Sequence, residues 1–217
     1  MLHHITAEQP QIWLASGSPR RRMLLSQVGL QPIVKVANIE EIPHHNERPD
    51  AYVSRMAREK GEAVRAKLSQ TQAPFWIIAA DTVVVLDGQT LEKPADDEEA
   101  RDTLSRLSGR AHHVMTGCWI ADNFSASSAQ HVASFVNITR VQFRVLSSDE
   151  VASYVATKEP LDKAGSYGIQ GVAGAFVTAI EGSYSNVVGL PIAQVIMALT
   201  RDLGALQGFP FADKLAP

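Results

Sequence analysis

One cysteine, Cys118, is all that 217 residues contain, so neither an internal disulfide framework nor a multi-cysteine zinc site is available. The composition suits a reducing compartment, and the lone thiol reads as core filling. Long apolar runs are missing too. No stretch approaches the roughly 20 apolar residues that span a bilayer, and Met1 to Gln11 lack the apolar run of about 7–15 residues that marks a signal peptide. A soluble, cytoplasmic protein with no membrane partner is expected. Positive charge is not in excess: 20 Lys and Arg stand against 23 Asp and Glu, a formal net charge of −3. That balance argues against the broad basic surface of a general nucleic-acid binder, so an anionic ligand must be met by a local cluster of cations.

Familiar site signatures are absent as well. The chain has no GxxxxGK[ST] loop, no GxGxxG fingerprint and no GxSxG elbow; Gly168, Gly171 and Gly174 are spaced GxxGxxG, which matches none of them. Three histidine pairs, His3-His4, His44-His45 and His112-His113, invite a metal assignment, but sequence neighbours point apart and no HExxH spacing exists. A histidine metal site is not expected.

What is present is ample core material, 45% hydrophobic against 20% charged residues, enough for one generous domain over 1–217 or two lobes sharing a core. A short strand at Ile12 to Ala15 leads through Ser16-Gly17-Ser18-Pro19 into a helix from about Arg20 to Val28, with Ser18 as cap, Pro19 at the first helical position and Gly29 as the stop. A strand near Pro32 to Ala37 is followed by a polar loop to Pro49. Asp50 is placed as cap of a helix from Ala51 to Leu68 with an apolar stripe through Val53, Met56, Ala57 and Val64. Trp76 to Ala80 and Val83 to Leu86 read as apolar runs interrupted by Asp81-Thr82. A helix over Asp97 to Leu107, strands over His112 to Ala121 and Ala133 to Val145 around a Ser-rich loop at Asn123 to Gln130, and a helix opened by the capping box Ser147/Glu150 come next. A strand near Ala175 to Ile180 and a last helix from Pro191 to before Gly204 complete an alternation that predicts an α/β fold with a central mixed sheet flanked by helices.

Two places are chemically odd. Ser16-Gly17-Ser18-Pro19-Arg20-Arg21 sets small residues and two cations at a strand-to-helix turn, where free N–H groups favour phosphate. Basic residues there oppose the helix dipole, so either both arginines are solvated or an anion lies between them. Asp81, between two apolar runs, is costly unless it binds a cation, accepts hydrogen bonds or faces a cleft. Lys60, Lys93 and Glu41 taken singly read as surface residues, and the segment from Glu159 to Gly171 is either a set of turns or a ligand loop.

Ser16-Gly17-Ser18-Pro19-Arg20-Arg21, Ala80-Asp81-Thr82-Val83, Lys93-Pro94, Leu107-Ser108-Gly109, His113-Val114-Met115-Thr116, Glu159-Pro160-Leu161-Asp162-Lys163-Ala164-Gly165, Tyr167-Gly168-Ile169-Gln170-Gly171 and Gly182-Ser183-Tyr184 through Val188-Gly189-Leu190-Pro191, in this order, resemble the Maf, or septum-formation-inhibitor-like, nucleotide pyrophosphatases over about residues 12–200. Glu92 departs from the glycine that many members carry before Lys-Pro. The resemblance implies a fold similar to that of inosine triphosphate pyrophosphatases, with two lobes around a cleft, often as a homodimer. It implies Asp81 as proton acceptor, Ser16, Arg21, Glu41, Lys60 and Lys93 as further active-site residues, and Arg20, Thr82 and Gln170 as the residues that set base preference. Those three match the subgroup that acts on dTTP and UTP.

The implied reaction is attack of water on the α-phosphorus, releasing a nucleoside monophosphate and pyrophosphate. Arg21, Lys60, Lys93 and a Mg²⁺ or Mn²⁺ held by Glu41 and Asp81 would stabilise the departing charge. Asp81 then acts either as the base or as a ligand of the metal that acidifies the water. Housecleaning of the nucleotide pool and arrest of septum formation are the biological roles the resemblance suggests. The alternative from another class is a nucleotide-sensing regulator that binds without cutting, against which the intact Asp81, Lys60 and Lys93 argue.

Overall fold

The computed structural model describes residues 10–71, 73–123 and 132–202. His3-His4, the Ser-rich loop beyond Asn123 and the segment after Asp202 lie outside them. The elements run β1 (Gln11–Leu14), α1 (Pro19–Gln27), β2 (Ile33–Val34), α2 (Pro49–Lys67), β3 (Phe75–Leu86), β4 (Gln89–Leu91), α3 (Asp97–Leu107), β5 (Ala111–Asp122), β6 (Val132–Phe143), α4 (Ser148–Ala156), β7 (Val177–Glu181), α5 (Tyr184–Val188) and α6 (Ile192–Met197). The last continues as a wider turn through Ala198–Asp202. The strands form one mixed sheet in the order β2-β1-β3-β5-β6-β7, with β4 also on β3. β1 is parallel to β2 and β3, and the remaining pairs are antiparallel.

Asp81-Thr82, which interrupts the apolar pattern, does not interrupt the strand: β3 is continuous and paired with β5 from Trp76 to Val85. Strand alternation accounts for it, because neighbouring side chains point to opposite faces. Phe75, Ile77 and Ala79 pack with Ala57, Val64 and Trp119 under α2, followed by Val83 and Val85 with Tyr52, Val53 and Met56. Trp76, Ile78 and Ala80 pack on the other face with Leu24 and Leu25 of α1 and Val195 and Ile196 of α6. On that same face Val84 and Leu86 meet Ala100 and Leu104 of α3 and Val151 and Val155 of α4. One face thus carries a single long helix, and the other carries two lobes.

The helix starts are specified locally, with two differences from expectation. Pro49 takes the first helical position of α2 and Arg48 precedes it as N-cap, so Asp50 lies inside the helix, paired with Arg48 at 2.7 Å. Ser18 stands at the N-cap of α1 without a side-chain cap bond; its N–H donates instead to Ser16 Oγ at 3.2 Å. The Ser147/Glu150 capping box of α4 is present, and Gly29 follows α1 with φ +84°. β4 was not expected, β2 is shorter than Pro32 to Ala37, and β7 lies at Val177–Glu181 rather than Ala175 to Ile180.

α2 lies unusually close to the sheet. A Cβ on Gly61 would fall 2.1 Å from Trp119 Cε3, and one on Gly117 would fall 2.2 Å from the Val53 carbonyl oxygen. Glycine at these two positions lets helix and strand touch, which sets the depth from which Lys60 reaches the sheet.

Candidate active site

β1 and β4 share one edge of β3 and leave a gap between them. β1 pairs as far as Ile78, β4 begins at Val84, and the Ala15 N–H closes the β1 side on the Ile78 carbonyl at 2.9 Å. Residues 79–83 of β3 therefore have no strand on that edge among the described residues. A cleft of about 640 Å³ opens along the gap, and Ser16, Arg20, Arg21, Glu41, Lys60, Asp81, Thr82, Lys93 and Gln170 all line it.

Asp81 faces α2. Its Oδ1 accepts from Lys60 Nζ at 2.7 Å, and the same ammonium donates to Glu41 Oε2 at 2.7 Å. Asp81 and Lys60 are buried, at 6% and 8% exposure, whereas the Glu41 side chain is half exposed. Two carboxylates thus share one ammonium and leave the trio with a net negative charge turned to the cleft. The loop bearing Glu41 is tied to α2 by the Tyr52 hydroxyl, which donates to the Glu41 carbonyl at 3.2 Å, and by a two-pronged Arg55–Glu47 pair at 2.6 and 2.7 Å.

Thr82, the next residue, faces α1 on the opposite side of the sheet. Its Oγ1 accepts from Arg21 at 2.9 Å and lies 2.9 Å from Thr116 Oγ1. The buried Arg21 also donates to Ser16 Oγ at 2.9 Å and to the Gly189 carbonyl at 2.8 Å. Three of its five N–H donors are thereby used, all on neutral acceptors, and no ion pair to Arg21 occurs among the described residues. Burial pulls the guanidinium below its ordinary value, and the Asp81 carboxylate opposes that shift. An arginine nevertheless stays a cation. A buried positive charge without a counterion, beside the first turn of α1, is an electrostatic invitation to phosphate.

The rim spans both lobes. Arg20 of α1 reaches Asp162 at 3.4 Å, an exposed pair crossing the mouth. Exposed Lys93 makes no hydrogen bond or ion pair among the described residues, and neither does the side chain of Gln170, which stands exposed in the turn between Gly168 and Gly171. Sequence reasoning brought these positions together only through the resemblance. It did not single out Tyr52, nor Asp162, Lys163, Thr116 or Gly189, although the last four lie in segments already marked.

His112 is buried, with Nε2 2.9 Å from the Tyr167 hydroxyl, and burial lowers it to about 4, while His113 is exposed. No group of three or more His, Cys, Asp or Glu suited to a metal occurs among the described residues. Cys118 is buried in the α1–α6 cluster, and burial pushes its thiol up to about 12. No helix among the described residues is long and apolar enough to cross a membrane.

Several known proteins are similar. A dTTP/UTP pyrophosphatase of Myxococcus xanthus is 46% identical over 197 residues, covering 91% of this chain and 95% of its own. A protein of the same name from Escherichia coli K12 is 46% identical over 189 residues, with 87% and 91% covered, and one from Desulfotalea psychrophila is 50% identical over 187 residues, with 86% and 91% covered. A solved nucleoside-triphosphatase / dITP/XTP pyrophosphatase from Mycobacterium abscessus aligns at 14% identity and a TM-score of 0.39 over 91% of this chain and 99% of that one, too distant to bear on fold or function. Residues 11–202 match the family described as Maf-like protein, and with relatives this similar over nearly their whole length the chain belongs to the Maf family.

Proposed function

We propose that this chain hydrolyses nucleoside triphosphates, dTTP and UTP ahead of others, to nucleoside monophosphate and pyrophosphate, acting as one catalytic domain over 1–217. The observation that carries the reading is the division of one cleft. A carboxylate pair on Lys60 lies on the α2 side, and Arg21 lies on the α1 side, with Lys93 at the rim, both cations without an ion pair among the described residues. The names of the relatives point the same way.

A triphosphate is drawn in by charge. Arg21, with two N–H donors to spare, and the amides at the start of α1 hold phosphate oxygens, while Lys93 neutralises the departing end. Asp81, fixed by Lys60, takes the proton from a water as the water oxygen bonds to the α-phosphorus and the bond to the β-phosphate oxygen breaks. The electron pair leaves with pyrophosphate, where the lysine and arginine charges stabilise it.

A divalent cation fits the carboxylates. Mg²⁺ is commonly held by one or two carboxylates together with substrate phosphates and waters rather than by a full protein cage, and Lys60 Nζ draws Glu41 and Asp81 together through Oε2 and Oδ1, leaving Oε1 and Oδ2 without a hydrogen bond among the described residues. Held by those two carboxylates, Mg²⁺ or Mn²⁺ would neutralise phosphate charge and acidify a coordinated water. Lys60 keeps both carboxylates oriented in either case.

Base choice belongs to Arg20, Thr82 and Gln170. The exposed Gln170 amide offers a donor and an acceptor together, the pairing that a pyrimidine carbonyl and ring N–H require. The reading includes a homodimer working in the cytoplasm, with neither nucleic acid nor membrane as partner. Incubating the purified protein with a panel of triphosphates and Mg²⁺, then identifying products, tests it. Monophosphate plus pyrophosphate is expected, whereas orthophosphate, or binding without turnover, overturns it.

A further inference from the structure

The turn that carries Gln170 is fixed by two residues outside the cleft lining. Gly171 N–H donates to the Gly168 carbonyl at 3.0 Å and closes the turn. The Glu159 carboxylate lies flat against it: a Cβ on Gly171 would fall 2.1 Å from Glu159 Oε1 and 2.5 Å from Cδ. Glu159 Oε1 accepts from the Tyr154 hydroxyl at 3.0 Å, and Oε2 accepts from Val172 N–H at 3.4 Å. The Tyr154 hydroxyl oxygen in turn accepts from Gly168 N–H at 3.1 Å. Both flanks of the turn therefore end on one carboxylate–phenol pair.

That pair is itself well anchored. Tyr154 is 2% exposed on α4, its ring edge-on to Phe176 at 5.2 Å between centroids. Glu159 opens the tight helical turn Glu159–Asp162, and its own carbonyl accepts from Lys163 Nζ at 2.7 Å. Gln170, by contrast, has no side-chain hydrogen bond among the described residues, so its position is inherited from the turn. Two glycines give the turn its shape and also its slack, since glycine loses the most conformational freedom on ordering. Something outside the turn has to supply the rigidity that a base-reading amide needs.

The geometry points to Glu159 and Tyr154 as positioning residues that set base specificity by holding the Gln170 turn, an inference that rests on the proposed triphosphate site. They act at the α4 lobe, apart from Asp81 and Lys60 on β3 and α2, so their loss affects recognition of the base and leaves the bond-breaking groups in place. The Glu159 carboxylate accepts at both oxygens, so Glu159→Gln keeps the contact to Tyr154 while offering Val172 N–H a donor instead of an acceptor. It is expected to be a partial rescue.

The test compares wild type with Glu159→Ala, Glu159→Gln and Tyr154→Phe, the last keeping the buried ring if the alanine variant folds poorly. Amide exchange at Gly168 and Val172 is measured in the free proteins, and kcat and KM are measured for dTTP and dATP. Glu159→Ala and Tyr154→Phe speed exchange at these amides. Glu159→Ala lowers the preference for dTTP over dATP by about tenfold through KM, the scale of one hydrogen bond to the base lost, with Glu159→Gln in between. Unchanged exchange overturns the inference, as does an equal loss on both nucleotides through kcat. If wild type cuts neither nucleotide, the proposed function fails, and exchange alone still decides whether this pair holds the turn.

Discussion

Lys60 Nζ lies 2.7 Å from Asp81 Oδ1 and reaches it from the far side of the sheet to Arg21, so the carboxylate is approached by one cation directly and faces a second across the strand. Asp81→Asn keeps the size of the side chain and an oxygen that can accept from Lys60, but removes the base and the charge for a metal. Turnover is expected to fall by about 10²-fold or more with the far-UV spectrum unchanged. Retention of more than about a tenth of wild-type kcat would contradict either role for Asp81.

Chelation is expected to abolish turnover, and Mg²⁺ or Mn²⁺ to restore it. Full activity in excess chelator would leave Glu41 and Asp81 with no metal to hold, confining Glu41 to its contact with Lys60 and Asp81 to the part of base.

Base preference is expected to place dTTP and UTP well ahead of ATP, GTP and 7-methyl-GTP in kcat/KM. A site built to bond one base edge leaves polar groups unpaired against another. A purine at the head of the ranking would separate Arg20, Thr82 and Gln170 from base reading.

Gly61→Ala gains about 0.5–1 kcal/mol of helix preference, yet its methyl carbon would fall 2.1 Å from the buried Trp119 ring. Overpacking of this kind costs about 1–3 kcal/mol, so the clash outweighs the gain. Thermal unfolding should show a lower Tm, and a rise would mean that α2 lifts away freely.

Acid stability is expected to depend on Glu47, whose carboxyl Arg55 holds at about 2 against an ordinary 4.5. A depressed carboxylate stabilises the fold above its unfolded value and loses that contribution as pH falls through the folded one. Glu47→Gln should therefore lower Tm at neutral pH, with the difference from wild type shrinking between about 4.5 and 2. A constant difference across that window would exclude the Arg55 pair as its source.

The helices α1, α3 and α4 were legible in the sequence because Pro19, Gly29, Gly109 and the Ser147/Glu150 box act locally. Asp81 and the Ser16–Arg21 turn were legible as chemistry, because an acid among apolar residues and cations at a helix start each need a partner. Two adjacent polar residues between apolar runs do not by themselves say whether a strand continues through them. In a strand they separate instead, Asp81 to Lys60 and Thr82 to Arg21. Only tertiary structure says that both faces have a cation waiting. Glu41 and Lys60, 19 positions apart, carried no local signal of convergence. The Glu159–Gly171 contact depends on chain path and left no pattern to read beyond the glycines themselves.

The gap along β3 bears on solubility as well. An unpaired strand edge is ordinarily a template for another chain, and proteins guard against it with charge, bulges or cover. Here the free stretch, residues 79–83, is recessed between β1 on one side and β4 on the other. It is too short and too enclosed for a foreign strand to dock in register. Ala79 and Ala80 are fully buried, and Asp81 to Val83 turn to the cleft, so the same arrangement that opens the cleft also protects the chain from self-association through it.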